Sequence, residues 1–233
     1  MVRKIYRLTL LLVPLACTND APPPSGGAVA TRASTATEAS SGPVVLFLGT
    51  SLTAGLGVDP DAAFPALIQD KIDSLGWEFA VVNMGVSGET SAGGVRRLPW
   101  LLREPIAVLV LELGANDGLR GLDVRQLESN LDSIVVSTRR AYPDVRVVIA
   151  GMQAPPDLGR RYSTEFRLVF ERLAARHDAA LIPFLLEDVG GVAALNQEDG
   201  IHPTADGHAV IAETVWRTVE PVLGSLMAEA GSN

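Results

Sequence analysis

Five short runs of valine, isoleucine and leucine, each followed by a helix-like pattern, constrain this chain more than any other feature. They are VVLFLG (44–49), FAVVNMG (79–85), IAVLVLELG (106–114), VRVVIAG (145–151) and AALIPF (179–184). Most are apolar at successive positions, which suits strands covered on both faces rather than half-exposed ones. Between them the period changes. Asp59-Pro60 supplies a cap and a first-turn proline, predicting a helix that runs on to Gly76. The stretch 123–140 sets Val124, Leu127, Leu131, Ile134 and Val135 on one face. Phe166, Val169, Phe170, Leu173 and Ala174 do the same for the next helix, and Val210, Ile211, Val215, Trp216 and Val219 for the last. Strand then helix, five times over, predicts an α/β protein: a three-layer α/β/α sandwich around a five-stranded parallel sheet.

The N-terminus stands apart from that pattern. Arg3, Lys4 and Arg7 precede an apolar run, Leu8 to Ala16, broken only by Thr9 and Pro14. That is the layout of a secretory signal, and the run is too short to span a bilayer. The single cysteine, Cys17, follows at once and has no partner for an intramolecular disulfide. LLVPLAC resembles a bacterial lipobox, which makes Cys17 an expected lipidation site, although Pro14 stands where the pattern prefers leucine; a plain cleaved signal or an uncleaved anchor is the alternative. Residues 18–42 are mostly Ala, Ser, Thr, Pro and Gly, so they read as a flexible linker, with the folded domain over 43–233. The expected setting is the periplasm or cell envelope, with the membrane reached only through the N-terminal anchor. A formal net charge of −8 argues against nucleic acid as a partner.

In parallel α/β sheets, ligands sit at the carboxyl ends of the strands. Those ends carry Gly49-Thr50-Ser51, then Gly85-Val86-Ser87-Gly88-Glu89-Thr90, then Gly114-Ala115-Asn116-Asp117-Gly118. EDGIHPTADGH (198–208) lies between the fifth run and the last helix. The first loop lacks the lysine of a phosphate-cradling loop and the glycines of a dinucleotide fingerprint. It is not a G-x-S-x-G elbow either, because residue 53 is threonine. Ser51 is therefore a nucleophile on another scaffold or the cap of the next helix, and a nucleophilic serine needs a base. Of the three histidines, His177 ends a helix, where a cation is structurally useful. His208 falls in the first turns of the last helix, on an expected solvent-facing position. His202 precedes a proline on an extended loop, three residues after Asp199. One short loop thus offers a base and a carboxylate to orient it, although Asp-Gly is also a common turn.

Together, GTSLTAG around Ser51, VSGETSAGG with Gly88, ELGANDGLRG with Asn116, and DGIHP with Asp199 and His202 resemble blocks I, II, III and V of the SGNH (GDSL) hydrolases. The resemblance is to their bacterial branch of arylesterases, acyl-CoA thioesterases and lysophospholipases. It implies a flavodoxin-like fold, Ser51 as nucleophile, His202 as general base and acid, and Asp199 as its orienting carboxylate. It also implies an oxyanion hole from the backbone N–H of Ser51 and Gly88 and the side-chain amide of Asn116. One departure is visible: Thr50 stands where the GDSL signature has aspartate. GANDGLRGLD (114–123) and GMQAPPDLG (151–159) resemble the two walls of an acyl channel, so Leu119, Leu122, Met152 and Leu158 are candidate substrate contacts. The implied substrate is a small acyl ester or lipid, handled by a monomer without metal or other cofactor. The rival readings are a carbohydrate O-acetyl esterase of the same family and a non-catalytic lipid- or glycan-binding module.

Overall fold

The structure, a computed structural model, describes residues 42–232. The expected signal, Cys17 and all of the linker up to residue 41 lie outside the described residues. Five parallel strands, β1 (Val44–Gly49), β2 (Ala80–Gly85), β3 (Val108–Glu112), β4 (Arg146–Ala150) and β5 (Ala180–Ile182), form one sheet in the order β2-β1-β3-β4-β5. Around it lie α1 (Ser51–Ala54), α2 (Phe64–Ser74), α3 (Ser91–Leu101), α4 (Ala115–Leu119), α5 (Val124–Ala141), α6 (Arg160–Arg176) and α7 (Ala205–Ala230). Helices α3, α5 and α6 pack in a row, while α2 packs with α7. Right-handed crossovers put these two groups on opposite faces of the sheet. The α/β/α sandwich follows the expected architecture. β1, β3 and β4 are buried almost throughout, which is why their sequences are continuously apolar instead of alternating.

Two local expectations need correction. The helix expected from Asp59 to Gly76 is broken: Pro60–Ala62 form a 3-10 turn, Ala63 is extended, and α2 starts afresh at Phe64. Pro65 explains the break, since its ring would clash with the carbonyl four residues back in a continuous helix. The fifth strand is shorter than its apolar run, ending before Pro183, which has no N–H to give a neighbour.

The topology also places the site. After β1 the chain crosses one way to β2, then back to β3 on the other side, so β1 and β3 flank a topological switch point. Gly49, Gly85 and Glu112 stand in register at the carboxyl ends of β1, β2 and β3. The three loops singled out in the sequence therefore leave the sheet side by side.

Candidate active site

Ser51 is the first residue of α1, and its cap is Thr50. The Thr50 backbone is extended and its hydroxyl accepts from Leu52 N–H at 3.5 Å, which removes the capping reading of Ser51. Ser51 Oγ lies 3.0 Å from His202 Nε2, and His202 Nδ1 lies 2.6 Å from Asp199 Oδ2. The other Asp199 oxygen accepts from the backbone N–H of Ile201 and His202, both at 3.0 Å. The His202 contact and these two N–H groups hold the Asp199 carboxyl down at about 2, so it is an acceptor throughout the neutral range. An acceptor at Nδ1 assigns the proton to that nitrogen and leaves Nε2 free to accept from the Ser51 hydroxyl. Sequence-distant residues, 151 positions apart, are thereby brought into proton-transfer range.

The oxyanion candidates converge on the same point. Glu89 N–H donates to Val86 O at 3.1 Å, closing a turn whose third residue, Gly88, has φ of +77°. A residue with a side chain would be strained there, whereas glycine is not. Asn116 sits in the first turn of α4 and donates from Nδ2 to Glu89 O at 2.9 Å. Its other amide proton remains for a ligand. Beneath it, buried Asp117 accepts from the N–H and hydroxyl of Ser91 at 2.8 and 2.6 Å, tying α4 to the start of α3. Asn130 of α5 adds a third tie by donating to Ser91 Oγ at 2.9 Å. Among the described residues, neither Ser51 N–H nor Gly88 N–H donates to a protein acceptor.

These groups open into a cleft of about 440 Å³ whose walls are mainly apolar. Leu119 and Met152 line it, together with Leu52, Leu56, Leu186 and Ile201, which the sequence did not single out. Leu122 and Leu158 are not part of this lining. The Leu122 carbonyl accepts from Tyr162 Oη at 2.8 Å, and Leu158 lies over Gly121, one step outside the cleft. Among the described residues no group of three or more His, Cys, Asp or Glu is arranged to hold a metal.

Two further buried groups were not read as part of the site. Glu112, at the end of β3, accepts from Thr50 N–H (2.8 Å), Thr53 N–H (3.3 Å), and the hydroxyls of both threonines. Its signal was visible as the one charged residue within VLVLELG, and the Thr50 hydroxyl is the donor that an aspartate at that position would replace. His208 is fully buried instead of solvent-facing, stacked on Phe64 and accepting its N–H at Nδ1. The packing of α7 against α2 turns that face inward. His177 caps α6 and meets Asp132 at 2.9 Å, a structural role as expected.

Comparison with known proteins gives a consistent picture. Residues 47–210 match the family model of GDSL-like lipases and acylhydrolases. Esterase TesA of Pseudomonas aeruginosa is 42% identical over 188 residues, covering 80% of this chain and 92% of its own. Thioesterase 1/protease 1/lysophospholipase L1 of Escherichia coli K12 is 39% identical over 181 residues, covering 77% and 84%. Among solved structures, the psychrotrophic esterase EstA of Pseudoalteromonas sp., inhibited by monoethylphosphonate, superposes with a TM-score of 0.73. That pair shares 33% identity over 78% of this chain and 98% of the other.

Proposed function

The chain belongs to the GDSL-like lipase/acylhydrolase family, and from that premise we propose that it is an exported serine esterase acting on acyl and aryl esters. Thioesters and lysophospholipids are further substrates within reach of the same site. The observation that carries this reading is the Ser51–His202–Asp199 relay, with contacts of 3.0 and 2.6 Å, facing an apolar cleft. His202 Nε2 takes the proton as Ser51 Oγ attacks the acyl carbonyl, and Asp199 stabilises the imidazolium. The oxyanion is received by Ser51 N–H, Gly88 N–H and Asn116 Nδ2, each such donor being worth roughly 10²–10³ in rate. Collapse returns the proton to the leaving alcohol or thiol, and water, activated by His202, releases the acid from the acyl-enzyme.

The apolar walls favour substrates with an extended acyl group over acetyl sugars. Turnover of p-nitrophenyl esters from acetate to palmitate tests this. The expected result is a maximum beyond acetate and a loss of about a thousandfold or more in Ser51→Ala. A maximum confined to acetate replaces the reading with the O-acetyl esterase. Equal rates in the wild type and Ser51→Ala overturn it. Export and lipid attachment at Cys17 rest on the sequence of residues 1–17.

A further inference from the structure

The reaction as derived makes no use of a largely buried guanidinium, that of Arg97. Arg97 lies in the middle of α3, and its side chain reaches the carboxyl ends of β1 and β2. Nη2 donates to Met84 O at 2.7 Å and to Gly49 O at 3.3 Å. Both Nε and Nη2 donate to the Glu89 carboxylate, at 2.6–2.9 Å. The two side chains are 19% and 9% exposed, so this fork is largely withdrawn from water. Gly93 makes room for it, since a Cβ there would stand 2.6 Å from Glu89 Cγ.

Each of these contacts touches a backbone that carries an oxyanion donor. Gly49 precedes Ser51 by two residues, and its carbonyl also accepts from Val86 N–H at 3.0 Å, which starts the turn bearing Gly88. Met84 is the next-to-last residue of the strand that leads into that turn. Glu89 closes the turn through its N–H and orients Asn116 through its carbonyl. Three donors from three strand ends must converge to within a fraction of an ångström, and single loops have no means of setting their mutual spacing. A planar guanidinium can hold two carbonyls and a carboxylate at once; a lysine ammonium is a point charge without that fork.

We propose that Arg97, with Glu89, is a positioning residue of the oxyanion hole: it locks the ends of β1 and β2 and the Gly88 turn into one unit with Asn116. The proposal rests on the hydrolase reading above. Its role is geometric, so its loss acts on the tetrahedral state and spares ground-state binding.

The test compares the full purified protein with Arg97→Lys, Arg97→Met and Glu89→Gln. The readouts are kcat and KM on the p-nitrophenyl ester turned over fastest, the melting temperature, and inhibition by an alkylboronic acid. Ser51 Oγ adds to the empty orbital of boron as its proton passes to His202 Nε2, with no group expelled, giving a tetrahedral adduct with an oxygen in the oxyanion position. Expected are a fall in kcat of about 10- to 100-fold in both Arg97 variants and a KM within about 3-fold of wild type. Boronate affinity falls in parallel with kcat/KM, and added guanidinium ion partly restores Arg97→Met. Should Arg97→Met fail to fold, Arg97→Lys and Glu89→Gln still read the fork, and a drop in kcat without a drop in boronate affinity overturns the proposal. Folded variants with kcat and boronate affinity near wild type overturn it too. A wild type without Ser51-dependent turnover overturns the hydrolase reading and this proposal with it.

Discussion

Burial pushes the Glu112 carboxyl up from 4.5 to about 7, against the pull of its bonds from Thr50 and Thr53. It pushes the imidazole of His208 down from 6.5 to about 4. The two effects have opposite signs. Between about 4 and 6.5 the unfolded chain protonates His208 while the folded one does not, so stability rises with pH across that window. Between 4.5 and 7 the folded chain keeps the Glu112 proton and the unfolded one loses it, so stability falls as pH rises. Each amounts to about 3 kcal/mol over its window, and where the windows overlap they nearly cancel. Glu112→Gln keeps an oxygen for Thr50 N–H, Thr53 N–H and the Thr53 hydroxyl, and removes the titration. Urea unfolding of that variant should show stability rising with pH by about 3 kcal/mol more than in the wild type between pH 4.5 and 7. His208→Leu should show the reverse slope, with a further cost of about 1–3 kcal/mol for the stranded Phe64 N–H. Parallel pH profiles in all three proteins would contradict both assignments.

At the scale of elements, the loop carrying Asp199 and His202 is tied to the turn after α1 by one amide. Gln197 Nε2 donates to Leu56 O, just beyond α1, at 2.7 Å and to Pro203 O at 2.9 Å. Gln197 N–H also donates to His202 O at 2.7 Å. The loop with His202 is thus stapled to the segment just after the helix with Ser51, while the Thr204 cap fixes the start of α7 behind it. Gln197→Ala is expected to lower kcat about 10-fold, leave KM nearly unchanged, and cost about 1 kcal/mol of stability. Steady-state kinetics together with thermal unfolding separate these effects, and an unchanged kcat would show that the loop holds itself. Not every element announces itself in the sequence. Capped amphipathic stretches such as α5, with Asp123 at its start, were legible as helices. The break at Ala63 depended on Pro65 disrupting a helix that the cap at Asp59 had announced, so two valid local signals competed. Gln197 sent no signal, because a polar loop residue looks the same whether or not it finds a distant carbonyl.

For the whole molecule, the strand order makes the site. The reversal between β2 and β3 opens a crevice beside β1, and the three loops richest in glycine and polar residues all empty into it. The N-terminal segment belongs to the same scale, and the proposed lipid on Cys17 rests on its sequence alone. Cys17→Ser is expected to shift the protein from the membrane to the soluble fraction while leaving hydrolysis of soluble esters unchanged; fractionation of expressing cells followed by esterase assay measures both. An unaltered distribution would remove the lipid anchor from the account.

The sequence by itself determined the class of fold, because burial on both faces of a parallel strand writes itself into consecutive residues and helical packing into a 3.6-residue period. It also made the candidate site residues legible, because Ser51, Gly88, Asn116, Asp199 and His202 occur in short blocks that resemble those of the family. Only the tertiary structure decided what supports them. Glu112 against Thr50, Arg97 at the ends of β1 and β2, Gln197 across to Leu56 and the buried His208 each act through partners that lie far along the chain or whose burial no local pattern reports. Hydrogen bonds and desolvation depend on which groups face each other in space, and chain order alone does not specify that.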